Sequence, residues 1–309
     1  MKFGLGLTPY SRFPDLASLQ RTVRLAESLG FHAVGVGDHA VIPHSHASTL
    51  SPVWYDPLVL GTAVAVSTQR LRVTFNTLVA PYHHPVRLAK SIASLDVLSG
   101  GRVTVGIGVG WIEEEFQALG APFHQRGAIT DECIRAMKAL WTSDRPSFHG
   151  RYVAFEDVAF EPRPVQKPHP PIWIGGGVRR TLERAAELGD GWHPLGRSRE
   201  KLKRDIEELR RLLAARGRRM DDLDLSYTLY QASVAGQTSR HTRAAGGDEA
   251  TVLSGDPDQA MEEIAALEGL GFSHLTIRFR GLTHQELCEA MERFQEDVMA
   301  PMGIDPGLA

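Results

Sequence analysis

LDVLSGGRVTVGIGVGW, residues 95–111, reads as a complete helix–strand–loop joint. Leu95 and Leu98 end a helical pattern at Ser99-Gly100-Gly101, the apolar run Val103-Thr104-Val105 follows, and Gly106, Gly108 and Gly110 form a ladder beyond it. Glycine permits positive φ after a helix and close backbone approach after a strand. The ladder therefore predicts something flat and bulky lying against residues 106–111. The joint nearly repeats elsewhere: SLGFHAVGV at 28–36 and GLGFSHLTI at 269–277 each set a helix end, a glycine and a buried strand in that order.

Outward from this joint, strand-like and helical patterns alternate along nearly the whole chain. Strands are expected at Lys2–Leu7, Ala33–Val36, Leu71–Phe75, Arg102–Gly106, Ile172–Ile174, Gly191–His193, Leu223–Thr228 and His274–Ile277. Helices are expected at Leu16–Leu29, Pro57–Val66, Pro85–Leu98, Ile129–Trp141, Arg179–Leu188, Arg199–Ala215, Pro257–Leu270 and Thr283–Met299. Eight alternations predict an α/β fold of the (β/α)₈ TIM-barrel type, with an open doubly wound sheet as the alternative and the short sixth strand as the weakest link. The 309 residues fit one such domain with insertions near 40–55, 146–171 and 234–250. The second insertion alternates polar and apolar residues before turning proline-rich, as a hairpin leading into the fifth strand would. The third has no periodicity and reads as a mobile loop over the barrel mouth.

Composition narrows the function classes. A net charge of -3 and the lack of a basic, aromatic-interleaved stripe argue against nucleic acid. The two cysteines, Cys133 and Cys288, sit in helical patterns and read as buried thiols of a reducing compartment. The chain opens directly into the strand of Phe3, Leu5 and Leu7, with no signal region or membrane-spanning run, which predicts a cytoplasmic protein.

A parallel barrel presents its active site at the C-terminal strand ends. There the sequence offers Gly37-Asp38-His39, Asn76-Thr77-Leu78, residues 106–111, Gly175-Gly176-Gly177, Trp192-His193-Pro194, and Arg278 with Arg280. His39 beside a carboxylate suits proton transfer near neutrality; a loop-capping Asp38 with a partly exposed histidine is the plainer reading. Gly175-Gly176-Gly177 ahead of a helix forms a phosphate cradle, because free N–H groups and the positive helix end attract an anion. No Walker lysine follows, and the ladder at 106–110 misses the G-x-G-x-x-G spacing and runs into Trp111 and Glu113-Glu114-Glu115, which disfavours a nicotinamide site. His44-Ser45-His46 and His83-His84 lack a carboxylate at metal-site spacing and read as solvated loop histidines, so no metal is expected. There is no G-x-S-x-G elbow and no cysteine nucleophile signature.

Together GVGDH at 35–39, HPVRLAKSIASLDVLSGGR at 84–102, GIGVGWIEEEF at 106–116, IWIGGG at 172–177 and ELGDGW at 187–192 resemble the luciferase-like monooxygenase superfamily, most nearly its coenzyme F420-dependent branch. The resemblance runs in order along essentially the whole chain. It implies a (β/α)₈ barrel binding F420, or alternatively FMN, non-covalently in its mouth. His39 would be the proton donor or acceptor, facing the reactive ring together with Asp38. Asn76 stands with Thr77 and Leu78, which would align with the non-prolyl cis peptide that buttresses the ring in F420 members. Gly108, Val109 and Trp111 would border the ring, and Gly175, Gly176 and Gly177 would hold the cofactor phosphate, with Arg179 and Arg180 adding charge.

Trp111 stands where sugar-phosphate dehydrogenases of that branch carry a glutamate, so glucose-6-phosphate chemistry is not expected and an apolar wall takes its place. The expected activity is hydride transfer between F420 and a small organic substrate. The alternative is an FMN-dependent two-component monooxygenase fed by a reductase. Readings from other classes are a metal-dependent barrel hydrolase using Asp38, His39 and His193, and a non-catalytic cofactor-binding protein. Arg278 and Arg280 read slightly better as surface charge than as an anion site. A homodimer is expected by analogy.

Overall fold

The alternation resolves into eight parallel strands: β1 (Lys2–Gly6), β2 (Ala33–Val36), β3 (Arg72–Val79), β4 (Val103–Gly108), β5 (Ile172–Gly175), β6 (Gly191–His193), β7 (Asp224–Gln231) and β8 (His274–Phe279). They are seen in a computed structural model that describes residues 1–231, 241–243, 249–304 and 306. Each strand pairs with the next, and β8 returns to β1 through Leu5 opposite Ile277. The short β6 is the closing stave: Ile174 lies opposite Trp192 on one side and Trp192 opposite Leu225 on the other. The ring is therefore a closed barrel and not an open sheet.

Among the described residues, eight helices surround it: α1 (Leu16–Ser28), α2 (Pro57–Ser67), α3 (Pro85–Ser99), α4 (Arg126–Thr142), α5 (Arg179–Leu188), α6 (Arg199–Ala214), α7 (Pro257–Glu268) and α8 (His284–Phe294). Their starts follow local chemistry. Asp15, Asp56, Ser198, Asp256 and Thr283 accept first-turn N–H groups of α1, α2, α6, α7 and α8. Gly100, at φ 67°, ends α3 in the left-handed conformation that its position in the 95–111 joint predicts.

Strand parity divides the side chains. Leu5, Val34, Val73, Val105, Ile174, Leu225 and Ile277 are buried among the helices' apolar faces. The opposite face carries Gly4, Gly35, Thr74, Asn76, Thr104, Ser226, Thr228 and Thr276, so the lumen is lined by hydroxyls, an amide and glycine where branched aliphatics usually stand. A polar lumen needs hydrogen-bond partners or a polar guest.

The 146–171 segment contains the expected antiparallel hairpin, Phe148–His149 against Ala154–Phe155. In the third insertion, His241–Arg243 pairs antiparallel with Glu249–Leu253, which extends beside β7, so this part is strand where a loop was expected. Residues 234–240 and 244–248 of that segment lie outside the described residues. Cys133 is buried and Cys288 half-buried, both as free thiols, and burial pushes the Cys133 thiol up to about 12. Among the described residues no helix is long and apolar enough to cross a membrane.

Candidate active site at the barrel mouth

Asp38 and His39 follow β2 directly, but each bonds a different partner. Asp38 Oδ2 accepts from the Val79 N–H at 2.9 Å and from His83 Nε2 at 2.8 Å, tying the end of β2 to the end of β3. Burial opposes charge on His83, yet the bond to Asp38 and its charge hold that imidazole above its ordinary value. His83 is thus half of an ion pair and not a solvated loop residue, and Asp38 is a latch whose carboxylate is already engaged.

His39 Nδ1 donates to Glu115 Oε2 at 2.9 Å, and its ring packs edge-on to Trp54 at 4.5 Å between centroids. Glu115 comes from a short helix, Glu113–Ala118, inserted between β4 and α4, and is fully buried. Its Oε1 accepts from the Ala40 and Val41 N–H groups at 2.6 and 3.3 Å, and its Oε2 also takes the Tyr82 hydroxyl at 2.9 Å. Burial alone would raise this carboxyl, but hydrogen bonds from His39, Ala40 and Tyr82 hold it below the usual range. A charged Glu115 requires the proton on Nδ1 and leaves Nε2 of His39 for whatever occupies the mouth. In the sequence Glu115 stands only as the last of an acidic run, Glu113-Glu114-Glu115. The signal available was an acid immediately before an apolar Phe116 in a strand-end helix.

Beyond Phe75 the pairing of β3 with β4 shifts register before resuming at Leu78, opposite Ile107. Within the shift lies a non-prolyl cis peptide, between Asn76 and Thr77, one bond earlier than the resemblance implied. Leu78 points into the core and is fully buried, so it does not face the mouth. The glycine ladder serves Thr77 and its backbone: a Cβ at Gly106 would overlap the Phe75 carbonyl, and Cβ atoms at Gly108 and Gly175 would overlap the Thr77 side chain. Gly108 and Gly175 are thus explained by a neighbouring strand as well as by any ligand. Asn76 Nδ2 donates to Thr276 Oγ1 at 3.3 Å, while its Oδ1 is buried with no partner among the described residues. Val109 is half-buried at the rim, and Trp111, 40% exposed, meets the His46 ring edge-on.

The Gly175-Gly176-Gly177 turn leads to α5, whose N-cap Val178 supplies no side-chain acceptor. Gly176, at φ +111°, donates its N–H to the His193 carbonyl and accepts from the Trp192 indole. The Gly177 carbonyl receives the Arg197 guanidinium, which fills the space a Cβ would need. Arg197 therefore borders the cradle, a residue the sequence motifs did not single out. Arg179 and Arg180 instead face Glu183, Glu208 and Asp131, bracing α5 against its neighbours.

His193 lies inside the lumen, sharing hydrogen bonds with Ser226 Oγ at 3.0 Å and Thr228 Oγ1 at 3.2 Å. Burial, then the charge of Arg278, pushes it down to about 3, so it is neutral. Asp38, His39 and His193 hence belong to three separate hydrogen-bond sets, and among the described residues no cluster of three or more metal-ligating side chains forms. At the ends of β7 and β8, the Arg280 guanidinium lies 4.0 Å and that of Arg278 5.9 Å from the Tyr230 ring centre. Burial would raise that phenol, but the two arginines outweigh it and lower it. These arginines form a mouth cluster and not ordinary surface charge.

The barrel is closed, and a carboxylate-held imidazole stands at its mouth. Residues 2–245 match the luciferase-like monooxygenase family, and the chain belongs to it. It is 34% identical over 166 residues to a Pseudomonas putida protein named FMNH(2)-dependent dimethylsulfone monooxygenase, an alignment covering 53% of this chain and about half, 46%, of that relative. Among solved structures, monooxygenase RslO1 from Streptomyces bottropensis superposes with a TM-score of 0.78 at 26% identity, covering 98% of this chain and all of that one. The coenzyme F420 dependent tetrahydromethanopterin reductase from Methanopyrus kandleri shares the fold at a TM-score of 0.76 with 18% identity, covering 97% and 99%. The protein is an oxidoreductase of the luciferase-like monooxygenase family.

Proposed function

We propose that this protein is a monooxygenase that takes reduced FMN from a separate flavin reductase and oxygenates a small organic substrate at the barrel mouth. The observation that carries the reading is His39 Nε2, freed for chemistry by the buried Glu115 carboxylate, at the same strand ends as the uncapped start of α5. FMN is favoured over F420 because a named FMNH(2)-dependent relative stands at 34% identity, whereas the F420 reductase at 18% speaks only for the fold. F420 hydride transfer, which the motifs placed first, becomes the rival reading.

The residues fit such a group. The uncapped first turn of α5 offers N–H groups and a positive dipole end to a phosphate, with the Arg197 guanidinium beside Gly177. The orphaned Asn76 Oδ1 offers a buried acceptor to a ring N–H. Gly176, Gly177, Val109 and Trp111 would border the cofactor. When bound, reduced FMN supplies two electrons, so that one atom of O₂ enters the substrate and the other leaves as water. His39 holds or moves a proton at Nε2, and Glu115 keeps its ring oriented while it does so. The Trp54 ring excludes water from one side of the imidazole.

Side-by-side fluorescence titration with oxidised FMN and F420, followed by oxygen uptake with reduced FMN, tests this. Preference for FMN with substrate-dependent oxygen uptake is expected. Preference for F420 with no oxygen uptake would transfer the case to deazaflavin hydride transfer. A homodimer belongs to the same proposal, with its mass in solution as the test.

A further inference from the structure

The opposite end of the barrel holds a cavity of about 240 Å³, among the N-terminal ends of the strands. At about 30 Å³ per water this is room for roughly eight waters, or for a small solute and its hydration. Lys2, His32, Arg72, Trp173, Asp224 and His274 form its wall, and the lumen hydroxyls of Thr74, Thr104, Ser226 and Thr276 its floor. The His32 and His274 rings stand 5.8 Å apart, and Trp173 meets His274 edge-on at 4.9 Å.

The donors and acceptors of this wall are unequal. Asp224, the acid of the lining, accepts the Trp173 indole N–H at 3.2 Å. Arg72 donates to the Gly101 and Val103 carbonyls and to Gln166, and its charge faces Asp96 and Asp224. Lys2 has no acidic partner among the described residues, and the His32 ring has no hydrogen-bond partner there. His274 uses Nδ1 with Ser273 Oγ and keeps Nε2. An ammonium, two imidazoles and four hydroxyls thus converge on one space with a single, already engaged carboxylate.

We propose that this cavity is a binding site for a small oxyanion, separate from the flavin mouth. Lys2 supplies the uncompensated charge, His32 and His274 the directional donors, and the threonine and serine hydroxyls the floor. Burial, followed by Lys2 and the neighbouring cations, pushes both imidazoles down to about 4, so they are neutral near pH 7. The charged groups facing them are Lys2, Arg72, the Met1 amino group and Asp224. An anion among these cations raises both imidazoles, so binding takes up protons and tightens as pH falls.

Sulfate is the probe, because its charge is constant over the range in which the histidines titrate. The full chain is titrated with sulfate against chloride of matched ionic strength, reading thermal shift and the His32 and His274 ring resonances. Sulfate is expected to raise the melting temperature, shift both rings, and bind more tightly at about pH 5.5 than at about pH 7. Lys2→Met, at an exposed position, should weaken sulfate about tenfold while FMN affinity is unchanged. His274→Asn should remove much of the pH dependence. Equal sulfate response in wild type and Lys2→Met, or rings unmoved by sulfate in the wild-type protein, overturns the site. Loss of FMN binding in the wild type would count against the mouth and leave this test intact.

Discussion

The two ends of the barrel use histidine in opposite ways. At the mouth, His39 and His83 each face a carboxylate, Glu115 and Asp38, at 2.9 and 2.8 Å. At the base, His32 and His274 face each other, Lys2 and Arg72. The same side chain is drawn towards its charged form at the His83 pair and away from it at the base, where both imidazoles fall to about 4. An imidazole is therefore not a site by itself; the sign and burial of its neighbours decide what it can do. Within the mouth the two pairs differ again. Asp38 joins two strand ends, while the four donors around Glu115 hold one catalytic candidate in one tautomer.

The largest effect is expected for His39→Asn. Turnover should fall by about 10²–10⁴-fold while FMN affinity changes little, measured as oxygen uptake at saturating reduced flavin. Unchanged turnover would erase the functional distinction between mouth and base.

Glu115→Ala should cost about 3–5 kcal/mol in urea unfolding, because the Ala40 and Val41 N–H groups, Tyr82 and His39 lose a buried, charged acceptor together. A loss below about 1 kcal/mol would mean that water replaces the carboxylate easily. Glu115→Gln keeps an acceptor and should lower kcat more than it lowers stability.

Smaller, and of opposite sign at the two ends, are the pH effects. The base histidines have folded values near 4 against an ordinary 6.5, so their stabilisation is complete above 6.5 and lost as pH falls towards 4. His83, raised by Asp38, stabilises below 6.5 and loses that contribution as pH rises through its folded value. His32→Asn should flatten the acid side of the stability profile, by on the order of 1 kcal/mol after allowing for solvent screening. His83→Asn should flatten only the neutral-to-alkaline side. Identical profiles for the two variants would dissolve the comparison.

The smallest effect belongs to Trp111→Ala at the exposed rim. Stability should change by less than about 0.5 kcal/mol, with any consequence appearing in substrate KM.

Much of this architecture was legible in the chain because its causes are local. Period-2 strands, helical spacing, acidic N-caps and glycines after helices act within a few residues, so even the three-residue β6 stood in the right place. The strand-end rule likewise brought Asp38, His39, Asn76 and the triple glycine to the mouth. Partnership was not legible. Glu113, Glu114 and Glu115 are alike in sequence, yet Glu115 alone of the three is buried, meeting a histidine 76 residues earlier. Gly106, Gly108 and Gly175 looked like room for a ligand, but a register shift in β3 brings Phe75 and Thr77 against them. The anion-favouring base was invisible for the same reason: Lys2, His32, Arg72 and His274 lie on four strands or their approaches and meet only when the ring closes. Local chemistry sets the period and the ends of each element, whereas long-range packing chooses which charges share a low-dielectric space, and that choice divides this barrel into a mouth of carboxylate-paired histidines and a cationic base.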